Sequence, residues 1–225
     1  MKLAILGSGM IVNDFLGMVA ALPAIELRAI VGTQRSRQKM EALQRSHSIG
    51  AVYTDFDECL ANSDFDTVYV ALPNHLHYAF AKKALQHGKH VICEKPFTLN
   101  RRDLLELSEI ASAKELILLE AITNQYLANY QAVKEGVAAL GDLKIIECNY
   151  SQYSSRYDAF KSGEVLPAFD PKKGGGALMD INIYNIHFAI GLLGLPERVR
   201  YLANVERGID TSGVLLLDYP NTKVV

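Results

Sequence analysis

The chain has 225 residues, 49% of them hydrophobic, and a formal net charge of -2. That is enough apolar material for one large core or two small ones, and no cationic excess for gripping a phosphate backbone, so nucleic acid is excluded as a general partner. The apolar run at the amino terminus breaks at Gly7, too short for a signal segment or a membrane span. Three widely spaced cysteines, Cys59, Cys93 and Cys148, are odd in number; they suit a reducing, cytoplasmic setting and not a disulfide framework.

In chain order, Leu3 to Leu6 reads as a buried strand, Gly7-Ser8-Gly9 as a tight turn, and Met10 to Leu22 as a helix ended by Pro23. Glu26 to Val31 gives a second strand, Arg35 to Ser46 a polar helix, Val52-Tyr53 a third strand, and Phe56 to Ala61 a short helix. Thr67 to Ala71 is a β-branched run; Asn74 is expected to cap a helix that runs to His87 and stops at Gly88. Lys89 to Cys93, a helix over Arg101 to Ala113 and a strand at Leu116 to Glu120 complete the alternation. Strict β-α alternation predicts an α/β domain with a doubly wound parallel sheet over residues 1–121.

The pattern then changes to α+β over residues 122–225. A helix is expected at Gln125 to Leu140, a strand at Leu143 to Tyr150, and a long polar, aromatic loop at Ser151 to Lys173 of the kind that usually carries function. Gly174-Gly175-Gly176 opens an apolar helix predicted to run unbroken to Leu193. Strands at Arg198 to Arg207 and Val214 to Tyr219 follow, giving a mostly antiparallel open sheet that ends, apparently truncated, just after the turn at Pro220-Asn221. Its uncovered apolar face predicts a homo-oligomer.

Gly7, Gly9, Met10 and Ile11 sit where a strand passes into a helix, with Val12 in place of a third small residue. Such a turn brings backbone N-H groups and a helix dipole onto a pyrophosphate, or is simply a tight turn. After the second strand no acid is present to take a ribose 2′-hydroxyl; Thr33, Gln34 and Arg35 suit a 2′-phosphate instead, or form a solvated helix start. NADP is the expected cofactor on this reading, with NAD as the alternative. Leu72, Pro73, Asn74 and His77 follow the fourth strand at the same edge and are expected on the nicotinamide side of the crevice. His75, His77, His87 and His90 are joined by no cysteine or carboxylate at zinc spacing, so no metal is expected.

Glu94-Lys95-Pro96 closes a buried strand where open α/β sheets place their ligands, with a proline forbidding further pairing. Glu94 and Lys95 are therefore candidate site residues, the bland alternative being a surface ion pair. On one continuous helix Asp180, Tyr184 and His187 would share a stripe. A carboxylate in so apolar a helix needs a partner, either a structural bond to the tyrosine or a lysine from the sheet edge.

These residues taken together resemble the glucose-fructose oxidoreductase and inositol dehydrogenase family, Gfo/Idh/MocA. The marks are Gly7-Ser8-Gly9, Pro73-Asn74-His75-Leu76-His77, Glu94-Lys95-Pro96, and Gly174-Gly175-Gly176-Ala177-Leu178-Met179-Asp180 leading to Tyr184, and the likeness covers essentially the whole chain. The resemblance implies a Rossmann domain followed by a substrate domain, and hydride transfer between NADP or NAD and a sugar, polyol or cyclic diol. It also implies Lys95 on the substrate hydroxyl and nicotinamide ribose, Asp180 orienting, and Tyr184 carrying the proton. Many relatives have histidine at that last position, and Asn182 stands where the family often has glycine. A nicotinamide-binding regulator without turnover is the rival function, and a dimerisation module a third.

Overall fold

A computed structural model describes Met1–Val225, which divide into two compact units, Met1–Ala121 and Ile122–Val225. No single helix is long and apolar enough to cross a membrane.

The first unit is built on a six-stranded parallel sheet of β1 (Lys2–Leu6), β2 (Glu26–Val31), β3 (Ala51–Tyr53), β4 (Thr67–Val70), β5 (His90–Glu94) and β6 (Leu118–Ala121). The strand order is β3-β2-β1-β4-β5-β6, so the direction of winding reverses between β1 and β4. Helices α1 (Met10–Val19), α2 (Arg37–His47), α3 (Phe56–Asn62), α4 (His77–Gln86) and α5 (Arg101–Ala113) connect them. Because successive strand residues point to opposite faces, Leu3 and Ile5 pack with Val12 and Leu16 of α1 and Met40 of α2. Ala4 and Leu6 pack with Phe56 of α3, Ala81 and Leu85 of α4 and Leu107 of α5. Every residue of β4 is buried, as a strand covered on both faces requires. Each fully buried aliphatic side chain contributes about 1.5–3 kcal/mol.

In the second unit α6 (Ala128–Gly136) precedes β7 (Ile145–Ile146). The segment of residues 151–173 forms α7 (Tyr157–Lys161) and two 3-10 turns, and α8 (Ala177–Asp180) and α9 (Ile183–Leu193) follow. Strands β8 (Arg198–Glu206), β9 (Ile209–Asp218) and β10 (Lys223–Val224) join β7 in a mixed sheet of order β7-β10-β9-β8, in which β7 pairs parallel to β10. Leu217 of β9 and Val224 of β10 pack against Ala189 of α9.

Several expected elements are corrected. The helix expected over Gln125 to Leu140 is α6 flanked by 3-10 turns at Thr123–Tyr126 and Val137–Leu140, because Leu127 is extended at ψ 138°. The strand expected over Leu143 to Tyr150 shortens to β7, since β10 offers only two residues to pair. Helix α1 ends at Val19, before the expected Leu22. Asn74 does not cap α4: it lies in a 3-10 turn at Asn74–Leu76 whose cap position is Pro73.

The expected continuous helix after the glycines is also broken. Asn182 N-H bonds Ala177 O at 2.9 Å, closing α8, and Ile186 N-H bonds Asn182 O at 3.0 Å, opening α9. Pro171–Asp180 and Ile183–Leu193 are bent by 58°. Asp180 and Tyr184 therefore occupy different helices, and the i,i+4 relation expected between them does not hold.

Candidate active site

The turn after β1 is dictated by close approach. Gly7 has φ +111°, and a Cβ there would meet Ala71 O at 2.2 Å. Its N-H bonds Val31 O of β2 at 2.8 Å, while Ala71 N-H bonds Leu6 O at 2.9 Å, so the turn is tied to both neighbouring strands at the reversal point. Gly9 is the N-cap of α1 with open space where a Cβ would stand, no side chain caps that end, and its first turn carries no acid. Met10 and Ile11 are exposed, whereas Val12 is fully buried against the sheet, doing the close packing that a third small residue would do. Uncapped amides at a positive helix end, with open space above them, fit a nucleotide pyrophosphate.

At the end of β2, Gly32 must lack a side chain because a Cβ would meet Met40 Sδ and Ser36 Oγ, both at 2.7 Å. Thr33 and Ser36 satisfy each other as a reciprocal cap, leaving Gln34 and Arg35 exposed at the sheet edge. Arg35 is the one cation in that turn, and the residues between Val31 and Arg35 include no carboxylate.

Lys95 follows β5 directly, and its peptide bond to Pro96 is cis. Glu94 Oε1 accepts from Tyr69 Oη at 2.5 Å across the parallel pair, and burial first, then this bond, push the Tyr69 phenol well above its ordinary value. Burial likewise raises the Cys93 thiol, with the Glu94 and Glu120 carboxylates adding to it, so Cys93 is a core residue and no nucleophile. Phe97 N-H donates to Glu120 Oε1 at 3.0 Å. His77 departs from expectation. It is fully buried, with Nδ1 2.9 Å from Pro96 O and Nε2 2.7 Å from Leu72 O, so its ring is spent on the scaffold and not on a cofactor. No group of three or more His, Cys, Asp or Glu side chains is arranged to hold a metal ion.

In the second unit each glycine of the triplet has a distinct reason. Gly174 is left-handed at φ 72°. A Cβ on Gly175 would meet Pro167 O and Ala168 O at 2.6 Å, and one on Gly176 would meet Asp210 Oδ1 at 2.0 Å. Asp210 Oδ2 accepts from Leu178 N-H and from Tyr201 Oη, both at 2.7 Å, capping the helix that ends in Asp180. Sequence reading missed Asp210; only its distant hairpin brings it here.

Tyr184 sits in the first turn of α9 and stacks edge-on with Tyr150, ring centroids 5.5 Å apart. Three side chains grip the α9 backbone: Asn124 donates to Tyr184 O at 2.8 Å, Gln125 to His187 O at 2.9 Å, and Tyr130 to Phe188 O at 3.4 Å. Gly191 makes room for this, since a Cβ there would meet Tyr130 Oη at 2.0 Å. The Tyr184 ring opens onto a groove of about 420 Å³ lined also by Thr123, Asn124, Asn149, Tyr150, Asn185 and Phe188.

The strand order and the glycine turn define a dinucleotide-binding fold, and the chain belongs to the Gfo/Idh/MocA oxidoreductase family. Residues 1–122 match the model of the oxidoreductase family with an NAD-binding Rossmann fold, and residues 130–225 match the GFO/IDH/MocA C-terminal domain. The chain is 36% identical over 227 residues to the scyllo-inositol 2-dehydrogenase (NADP(+)) IolU of Bacillus subtilis, covering all of this chain and 68% of that protein. It is 29% identical to the trans-1,2-dihydrobenzene-1,2-diol dehydrogenase of Xenopus tropicalis, covering 97% of this chain and 65% of that one. The chain thus spans about two thirds of the length of these relatives. The crystal structure of myo-inositol 2-dehydrogenase from Lactobacillus plantarum superposes with a TM-score of 0.85 at 19% identity, over all of this chain and 68% of that chain, and speaks for the fold alone.

Proposed function

We propose that this chain forms the cofactor and proton-handling part of an NADP-dependent dehydrogenase acting on a polyol, cyclic diol or sugar. The observation that carries the reading is the groove beside Tyr184, whose lining by Thr123, Asn149 and Asn185 brings hydroxyl and amide groups together beside the tyrosine, as a polyol's hydroxyls require. The 36% identity to an enzyme named for scyllo-inositol and NADP supports the same class.

The bound nicotinamide would accept or supply the hydride. The first turn of α1 would hold the pyrophosphate, and Thr33, Gln34 and Arg35 the adenosine 2′-phosphate. Leu72, Pro73, Asn74 and Glu94 would border the nicotinamide half. Lys95 would hydrogen-bond the substrate oxygen. During alcohol oxidation Tyr184 would take the hydroxyl proton as the hydride leaves the same carbon, and would return it in the reverse direction. Asp180 would orient these groups. The sheet face turned away from α9, where Leu202 and Val214 lie opposite each other and are about half exposed, would bind a second copy of the chain.

The test is a fluorescence titration with NADPH and NADH, followed by a turnover panel of scyllo-inositol, myo-inositol, a trans-dihydrodiol, glucose and xylose on the full-length protein. NADPH should bind tighter than NADH and at least one polyol or diol should be oxidised. Tight NADPH binding with no turnover across the panel would reject the dehydrogenase reading.

A further inference from the structure

We infer that His77 is a positioning residue for Lys95, coupling the loop after β4 to the turn after β5; the inference rests on the proposed role of Lys95. Pro96 has no N-H, so the lysine turn cannot be pinned through the amide next to Lys95. The groups flanking it are held instead. Glu94 is bound by Tyr69 Oη at 2.5 Å, Pro96 O by His77 Nδ1 at 2.9 Å, and Phe97 N-H by Glu120 Oε1 at 3.0 Å.

His77 differs from the other two anchors in having a second hold. Its Nε2 reaches Leu72 O at 2.7 Å, in the segment that runs through Pro73 and Asn74 at the carboxyl edge of β4. One rigid ring therefore spans the two loops proposed to border the nicotinamide and to carry the amine. Both partners are carbonyl oxygens, which only accept, so whichever ring nitrogen carries hydrogen donates to the carbonyl it faces. No other side chain type places two nitrogens at opposite ends of a flat, short ring. The ring is fully buried, and its loss leaves both oxygens without this partner. The consequence is a fixed spacing between the two loops, and a displacement of about 1 Å at a reacting group costs on the order of a hundredfold in rate.

The test compares wild type, His77→Phe, His77→Gln and Lys95→Met in the full-length protein. His77→Phe keeps a planar ring without nitrogen, while His77→Gln keeps an NH2 group at the end of a flexible chain in place of the rigid ring. The expected result is a fall in kcat of about ten- to a hundredfold in both His77 variants, with KM and the NADPH dissociation constant within about threefold of wild type. A second readout needs no substrate: the Phe97 amide should exchange hydrogen faster in His77→Phe than in wild type, while amides of β1 and β2 keep their rates. If His77→Phe fails to fold, His77→Gln carries the same comparison. Wild-type kcat in the folded His77 variants, alongside an inactive Lys95→Met, would overturn this inference alone. So would a loss explained wholly by weaker NADPH binding. Full turnover in Lys95→Met would overturn the lysine reading, and this inference with it.

Discussion

Arg35 owes its proposed role to what surrounds it as much as to its own charge. It is exposed at the end of β2, no carboxylate precedes it in the turn, and Thr33 and Ser36 occupy each other. A guanidinium on a 2′-phosphate is a charge-assisted bond of about 1.5–3 kcal/mol, so Arg35→Ala should weaken NADPH binding by roughly ten- to a hundredfold and leave NADH unchanged. Equal losses for the two cofactors in paired titrations would show that the side chain does not read the phosphate. For the proton, Tyr184→Phe and Lys95→Met should each lower turnover by about a hundredfold to ten-thousandfold with NADPH binding nearly intact, and Asp180→Asn should fall between them and wild type. Steady-state kinetics beside a thermal melt separate this from unfolding. The roles proposed for Lys95 and Tyr184 arise from residue type and position at element ends, which a sequence displays. His77 does not: its motif drew attention to the right segment, but the direction of its ring is set by the 3-10 turn at Asn74–Leu76 and by carbonyls on two other loops.

At the scale of elements, the first unit was readable because parallel strands buried on both faces are continuous apolar runs, as β1 and β4 are, and each helix between them carries one apolar stripe. The second unit resisted for physical reasons. Every residue from Ala177 to Leu193 tolerates a helix, and the break after Asp180 shows only in the backbone, where Asn182 N-H turns back to Ala177 O. Likewise α6 is short of its expected span because Asn124 and Gln125 are turned toward α9 and lie in a separate 3-10 turn. Glycines offer a test with opposite signs. Gly17, inside α1, has open space at its Cβ position, so Gly17→Ala should stabilise the protein by about 0.5–1 kcal/mol. Gly191, inside α9, faces Tyr130 Oη at 2.0 Å, so the same substitution should destabilise it by about 1–3 kcal/mol despite the better helix propensity. Denaturant melts of the two variants should move in opposite directions; a shared direction would mean that Tyr130 does not pack as described.

At the scale of the whole molecule, each unit carries its own core, and the second leaves Leu202 and Val214 about half exposed on one face of its sheet. Opposed residues Leu202 and Val214 lie on that face, flanked by the Arg198–Asp218–Lys223 ion-pair group. If that face joins two copies, light scattering at micromolar concentration should report an oligomer, and Leu202→Lys with Val214→Asp should shift it toward monomer without loss of helical signal. A monomeric wild type would count against the interface. The grip on α9 has a consequence over evolutionary time. Asn124, Gln125 and Tyr130 all hold main-chain carbonyls, which every amino acid supplies alike. The socket is therefore indifferent to which side chain stands at position 184. A lineage can exchange tyrosine for another proton-bearing group there, and retune its chemistry, while the helix stays seated.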